Sequence, residues 1–177
     1  MPIAARLFVY DRDMAKKSAG LLMFRRPPDG QLQVLLVHPG GPFWAKKDFG
    51  AWSVPKGEYD DSEQPLEAAK REFAEETGFA TSEPFLPLGS LKQPGGKTVT
   101  VWAFESDCDP AALISNEFEM EWPPKSGRRA SFVEVDRAGW FSVGEARDKL
   151  MKGQLGFLEA LENVADHRGK SQRTRFG

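Results

Sequence analysis

Cysteine is almost missing from this chain: Cys108 stands alone among 177 residues. One thiol can build neither a disulfide framework nor a Cys-based zinc site. Histidine is nearly as scarce, with only His38 and His167, which argues against a multi-histidine metal centre. No run approaches the ~18 apolar residues that a membrane helix needs, so no membrane partner is expected. The opening stretch MPIAARLFVYDRDMAKK carries a short apolar run without the layout of a signal peptide. Neither sign of charge dominates, since 24 Lys and Arg face 26 Asp and Glu for a net charge of −2. Nucleic acid is therefore not expected as a partner gripped mainly through its phosphates. These absences together point to a reduced, cytoplasmic protein.

What is present fits one globular domain. Hydrophobic residues make up 40% of the chain, enough for a sizeable core at this length. The expected division is a single domain over 1–165 and a flexible, basic tail over 166–177, DHRGKSQRTRFG. KSAGLLMFRR and LQVLLVH are β-rich runs around the turn signal PPDG, so they predict a hairpin with Leu35 to Val37 in the core. PGGPFWAKKDFG is too rich in Gly and Pro for a regular element and reads as a loop. AWSV reads as a short strand stopped by Pro55. PFLPLGSL and KTVTVWAFES predict two more strands, DPAALISNEFEMEWPPKSGRR reads as irregular, and ASFVEVDRAGWFS holds one or two short strands. VGEARDKLM and QLGFLEALENVA predict helices. Strands, a helix, strands and helices in that order indicate an α+β class.

The segment PKGEYDDSEQPLEAAKREFAEETGF, from Pro55 to Phe79, carries the strongest signal. Pro65 suits a helix's first turn and Gly78 suits the position just past its end. Leu66, Ala69, Phe73 and Thr77 form one apolar stripe at spacings of three and four. At about 100° per residue, Glu72, Glu75 and Glu76 fall within a ~100° arc beside that stripe. The last turn is where the helix dipole disfavours negative charge. At an effective dielectric of ~20, two like charges ~5 Å apart repel by up to ~3 kcal/mol. A divalent cation reverses the sign of these terms, and hard oxygen ligands on one face suit Mg²⁺ or Mn²⁺.

The full spacing is Gly57, five residues, Glu63, seven residues, Arg71-Glu72-Phe73, one residue, Glu75-Glu76, one residue, Gly78-Phe79. This resembles the Nudix box of the Nudix (MutT-like) hydrolases at every fixed position. The resemblance implies an α/β/α sandwich around a mixed sheet, with the box as a loop–helix–loop. It implies hydrolysis of a diphosphate bond in a nucleoside diphosphate derivative, by water attacking phosphorus with the help of Mg²⁺, or Mn²⁺ in its place. Carried over, Glu72, Glu75 and Glu76 become metal ligands, and the Lys56 carbonyl joins them. Glu63 and Arg71 become supporting residues that hold the box together, and Gly57 allows close backbone approach. Glu72 or Glu76 could accept the water's proton; Glu117, Glu119 and Glu134 are later candidates, with Glu134 also a candidate to face the metal.

Substrate choice is less firmly written. WSVPKG resembles the start of the box in Nudix enzymes acting on dinucleoside polyphosphates and inositol diphosphates, where Lys56 would contact phosphate. Lys46 and Lys47 add positive charge nearby, and Phe43, Trp44 or Trp122 could stack on a base. Arg128 and Arg129 could reach phosphate or face water. The wider span resembles a bacterial Nudix subgroup of predicted pyrophosphohydrolases. A dinucleoside polyphosphate is the favoured substrate, with nucleoside triphosphate, ADP-ribose or a catalytically silent nucleotide-binding module as alternatives. An isoprenoid diphosphate isomerase would need a cysteine as acid or base, and Cys108 lies in the turn-like ESDCDP. A homodimer is a further expectation from the family.

Overall fold

The structure, a computed structural model, describes residues 16–173. The expectation for the opening stretch therefore lies mostly outside the described residues, as does that for 174–177.

Five strands run side by side in the order β4-β5-β1-β2-β8: Leu86–Lys92, Thr98–Glu105, Lys17–Arg25, Gln33–Pro39 and Val135–Ser142. A sixth, β3 (Lys56–Tyr59), pairs with the first half of β1. Among the described strands of this sheet only β1 and β5 pair in parallel, so the sheet is mixed. β1 divides its pairing: Lys17 to Gly20 face β3, while Phe24 and Arg25 face β2. At the parting the Leu21 amide donates to the Pro55 carbonyl at 3.1 Å, which keeps the buried backbone satisfied.

The period-2 alternation of strand side chains sends β1 to both faces. Ala19, Leu21 and Met23 join Leu35, Phe104 and the α1 residues Ala68, Ala69 and Phe73 in one core. Leu22 and Phe24 join Val34, Leu36, Val99 and Val101 against Leu150, Phe157, Leu158 and Leu161 on the opposite side. These last come from the end of α2 (Val143–Lys149) and from α3 (Leu155–Arg173). The result is the expected sandwich, with α1 (Pro65–Thr77) alone on one face. Phe73 is fully buried against Phe104, rings 5.3 Å apart and nearly perpendicular; truncating such a residue to alanine costs about 3–5 kcal/mol. Docking by this one stripe fixes which way the rest of α1 points.

Three expectations need correction. AWSV is not a strand: Trp52 and Ser53 make isolated bridges to two different partners, Leu150 and Val37, and the strand starts after Pro55. The stretch Asp109–Arg129 is not irregular. It contains β6 (Glu117–Glu121), paired with β7 (Arg129–Val133) as a two-stranded ribbon. Its EFEME alternation puts Phe118 and Met120 on one side and three glutamates on the other, a period-2 signal outweighed by the surrounding Pro, Gly and charge. Finally, α3 runs to Arg173, through the part of the chain expected as tail from 166.

Candidate active site

Helix α1 begins at Pro65 without a side-chain cap on Gln64 and ends at Gly78, whose φ of 71° is the left-handed conformation glycine tolerates. The Gly78 amide closes on the Ala74 carbonyl at 2.9 Å. The next exposed carbonyls are capped from a distant part of the chain: the Asn116 amide donates to Glu75 O at 2.9 Å and the Ile114 amide to Thr77 O at 3.0 Å. No basic residue lies in the last turn. Its acidic end is thus held by backbone bonds and by the Thr77 hydroxyl, which donates to the Phe73 carbonyl at 2.6 Å, without a basic residue in the last turn to offset the helix dipole.

The same ladder brings in Glu134. Its amide donates to the Asn116 carbonyl at 2.8 Å, and its carbonyl accepts from the Gly40 amide at 2.9 Å. Glu134 lies between β7 and β8, so the helix end, the ribbon base and the loop after β2 meet there.

Arg71 organises the carboxylates. It grips Glu63 with two prongs, Nε to Oε2 at 2.9 Å and Nη2 to Oε1 at 2.8 Å. Its remaining nitrogen, Nη1, donates to Glu72 Oε1 at 2.8 Å and lies 3.3 Å from Glu75 Oε2. A planar guanidinium is suited to this fork, and a lysine could not reproduce it. Glu72 is only 12% exposed, and its carboxyl lies over Gly57 so closely that a Cβ there would fall 1.9 Å from Cδ. Glu76 turns the other way, with Oε2 accepting the Lys56 amide at 3.1 Å.

The electrostatics of the cluster follow from burial. Glu76 is pushed up to about 8, first by desolvation and then by Glu72 and Glu134, against the pull of Lys56. Glu72 is raised by burial, against the pull of Arg71. Glu134 is raised by burial and then by the charges of Glu72 and Glu75. Three carboxylates therefore resist ionisation together, and among the described residues Arg71, bonded to Glu72, is the cation hydrogen-bonded into their midst. Burial also lowers Lys56, opposed by Glu76, so its ammonium is a weakened counter-charge.

Among the described residues no three or more acidic, His or Cys side chains close round a single point as a ready cation cage; Arg71 draws Glu72 and Glu75 to itself. The donor set nevertheless fits a hard divalent cation. It offers oxygen only, Glu72 and Glu76 within it are desolvated, and the missing side chain of Gly57 lets the Glu72 carboxyl lie directly against backbone.

Other candidates fall away from this centre. Glu117 accepts from Ser131 Oγ and Glu119 pairs with Arg129 at 3.4 Å, both exposed on the ribbon. Arg128 is exposed as well. The Cys108 thiol is pushed up to about 11 by burial and then by Asp107, which removes it as a ready thiolate.

The loop after β2 keeps Lys46 and Lys47 exposed. Phe43 is 57% exposed and meets Trp122 of the ribbon edge-on, rings 5.4 Å apart. Trp44 is half-buried, with the Lys47 ammonium 5.0 Å above its ring. Phe43 and Trp122 lie far apart in sequence, yet ring geometry makes them one surface. Missed altogether were His38 and Asp136, whose ring nitrogen and carboxylate lie 2.8 Å apart. A histidine ending an otherwise apolar strand was the available signal.

A match to the family model described as NUDIX domain covers residues 14–161. The asymmetrical bis(5'-nucleosyl)-tetraphosphatase of Rattus norvegicus is 32% identical over 120 residues, covering 60% of this chain and 76% of that protein. A nucleoside triphosphate pyrophosphatase/Nudix hydrolase fusion protein of Bifidobacterium longum is 31% identical over 112 residues, again 60% of this chain. There the match spans only 23% of the relative's length. Among solved structures, a C. elegans Ap4A hydrolase binary complex superposes with a TM-score of 0.58 at 20% identity, covering 86% of this chain and 99% of that one. The NUDIX domain of Shewanella oneidensis NrtR complexed with ADP ribose gives 0.61 at 18% identity, covering 93% and 99%. At these identities the two structures bear on fold alone.

Proposed function

The chain belongs to the NUDIX family, and on that premise we propose that it is a divalent-cation-dependent pyrophosphohydrolase acting on dinucleoside polyphosphates. The observation that carries the reading is the cluster of Glu72, Glu76 and Glu134, partly desolvated beside a helix end, with Glu75 next to them and Arg71 hydrogen-bonded to Glu72. Such a cluster is costly without a strong positive partner.

Glu72, Glu75, Glu76, Glu134 and the Lys56 carbonyl are the residues that would hold Mg²⁺, or Mn²⁺ in its place. When bound, such an ion neutralises phosphoryl oxygens and acidifies water. The chain's own residues do the rest. Glu63 fixes Arg71, and Arg71 fixes Glu72 and Glu75, so the carboxylates keep their aim. Glu76 has Oε2 committed to the Lys56 amide, which leaves Oε1 to take a proton from the attacking water. Glu134 is the second candidate acceptor.

In this reading Lys46 and Lys47 receive the outer phosphates, and Phe43, Trp44 and Trp122 stack on a base. A base on such an aromatic surface is worth ~1–3 kcal/mol. Similarity to the rat tetraphosphatase supports a dinucleoside polyphosphate over nucleoside triphosphate or ADP-ribose.

The test is a product assay. Purified protein with Mg²⁺ or Mn²⁺ is incubated separately with a bis(5'-nucleosyl) tetraphosphate, a nucleoside triphosphate and ADP-ribose, and products are resolved by chromatography. Fastest turnover of the dinucleotide is expected. A tenfold preference for either other substrate would overturn the substrate assignment, and no turnover of any would point to a binding module.

A further inference from the structure

The only imidazole in the sheet belongs to His38, one residue before the end of β2, and its side chain is completely buried. Nδ1 lies 2.8 Å from Asp136 Oδ1 and Nε2 lies 2.6 Å from the Lys47 carbonyl. Both ring nitrogens therefore face oxygen acceptors, and neither faces water. A buried histidine on an apolar strand needs one partner for each nitrogen to avoid an unsatisfied group. Here the two partners come from separate parts of the chain, and both parts lead to the proposed site.

Asp136 reaches the ring because of a slip in the ladder. His38 is opposite Arg137, but Pro39 is opposite Val135, so Asp136 is the extra residue of a β-bulge. Bulges re-aim side chains at sheet edges beside functional sites. This one turns Asp136 onto His38, two residues from Glu134. On the other side, Lys47 belongs to the loop bearing Phe43, Trp44 and Lys46. Trp52 packs edge-on to the imidazole, centroids 5.3 Å apart, and its Nε1 donates to Asp48 Oδ1 at 2.8 Å. The far limb of the loop is thus pinned at consecutive residues, Lys47 by backbone and Asp48 by side chain. The near limb is pinned by the Gly40 amide to the Glu134 carbonyl.

We propose that His38 is a positioning residue for substrate binding, bridging the bulge at Asp136 to the Lys47 carbonyl so that the aromatic and lysine loop keeps a fixed register against Glu134. The inference rests on the functional reading above, in which that loop receives the substrate. His38 touches no reacting atom. Its loss loosens the loop without altering the carboxylates, so the effect falls on substrate affinity.

The experiment compares His38→Gln, His38→Phe, Asp136→Asn and Asp136→Ala with wild type. Steady-state kinetics use a bis(5'-nucleosyl) tetraphosphate and Mg²⁺. Tryptic cleavage after Lys46 and Lys47 is followed by mass spectrometry on protein free of substrate. Both His38 variants are expected to raise KM about tenfold with kcat within twofold, and to speed cleavage in the loop about tenfold. Asp136→Asn can still hydrogen-bond the ring and retains most of the affinity, whereas Asp136→Ala shifts towards the His38 variants. Unchanged KM together with unchanged loop cleavage would overturn the proposal, as would a loss confined to kcat. If one His38 variant does not fold, the other and the Asp136 pair decide. If wild type hydrolyses no substrate, the functional reading fails, while the cleavage rates still decide whether His38 holds the loop.

Discussion

Glu63 and Arg71 are joined by two parallel hydrogen bonds, 2.9 and 2.8 Å long, across eight residues of sequence. The pair fastens the loop before α1 to the helix, and through Arg71 it restrains Glu72 and Glu75. Both side chains remain about one-third exposed, 37% for Arg71 and 31% for Glu63, so solvent screens the fork and its weight in stability is modest. Arg71→Lys is expected to shift urea melts only slightly while cutting kcat at least tenfold, because one ammonium cannot hold three carboxylates.

Replacing Glu76 by glutamine removes an anion from a desolvated helix end that already disfavours it. Turnover is expected to fall by about 10²–10⁴-fold, the usual range for a lost proton acceptor. The melting temperature should stay the same or rise. A variant with more than a tenth of wild-type kcat would remove Glu76 from the mechanism.

The same residue sets a pH dependence of stability in metal-free protein. Its folded value of about 8 lies above the ordinary carboxyl value of 4.5. Between these limits the folded state keeps a proton that the unfolded state has lost. Stability is therefore highest below the unfolded value and declines as pH rises from about 5 to 8. Lys56, lowered by burial, has the opposite sign, in the range just below its ordinary value of 10.5. Urea melts at pH 5.5 and 8 should show the decline in wild type and a flatter profile in Glu76→Gln.

Added Mg²⁺ should raise the melting temperature, since a ligand bound only by the folded state stabilises it by mass action. The rise is expected to be larger at pH 8 than at pH 5.5, where protons compete for the carboxylates. Differential scanning fluorimetry on wild type and on a Glu72→Gln, Glu76→Gln double variant checks this. An equal rise in both proteins would place the ion elsewhere.

Gly57→Ala separates fold from function. The added methyl would overlap the Glu72 carboxyl, the far end of a side chain that can swing aside. Stability should change by less than about 1.5 kcal/mol, below the usual cost of overpacking a rigid core, while kcat drops tenfold or more. Paired melting and turnover measurements settle it.

Much of this arrangement was legible in the sequence because it is local. Pro65, Gly78 and the apolar stripe mark α1 within one continuous stretch, and the acidic arc follows from the helical period alone. The sandwich followed from the box and from the order of elements. Long-range features were not legible. Ala51 to Val54 look like a strand but divide their bonds between Val37 and the end of α2, which no local pattern encodes. The β6–β7 ribbon was hidden because Pro, Gly and charge surround a five-residue alternation. His38 and Asp136 are 98 residues apart, and only the bulge in the β2–β8 ladder brings them together.

The Ile114 and Asn116 amides seal the end of α1, and immediately afterwards the chain leaves as the ribbon that carries Trp122. The chemical machinery is thereby moored at the hairpin's root, while its tip meets Phe43 of the neighbouring loop instead. A lineage could lengthen, shorten or re-letter that tip and so trade one nucleotide for another, while the acid-bearing helix kept its mooring unchanged.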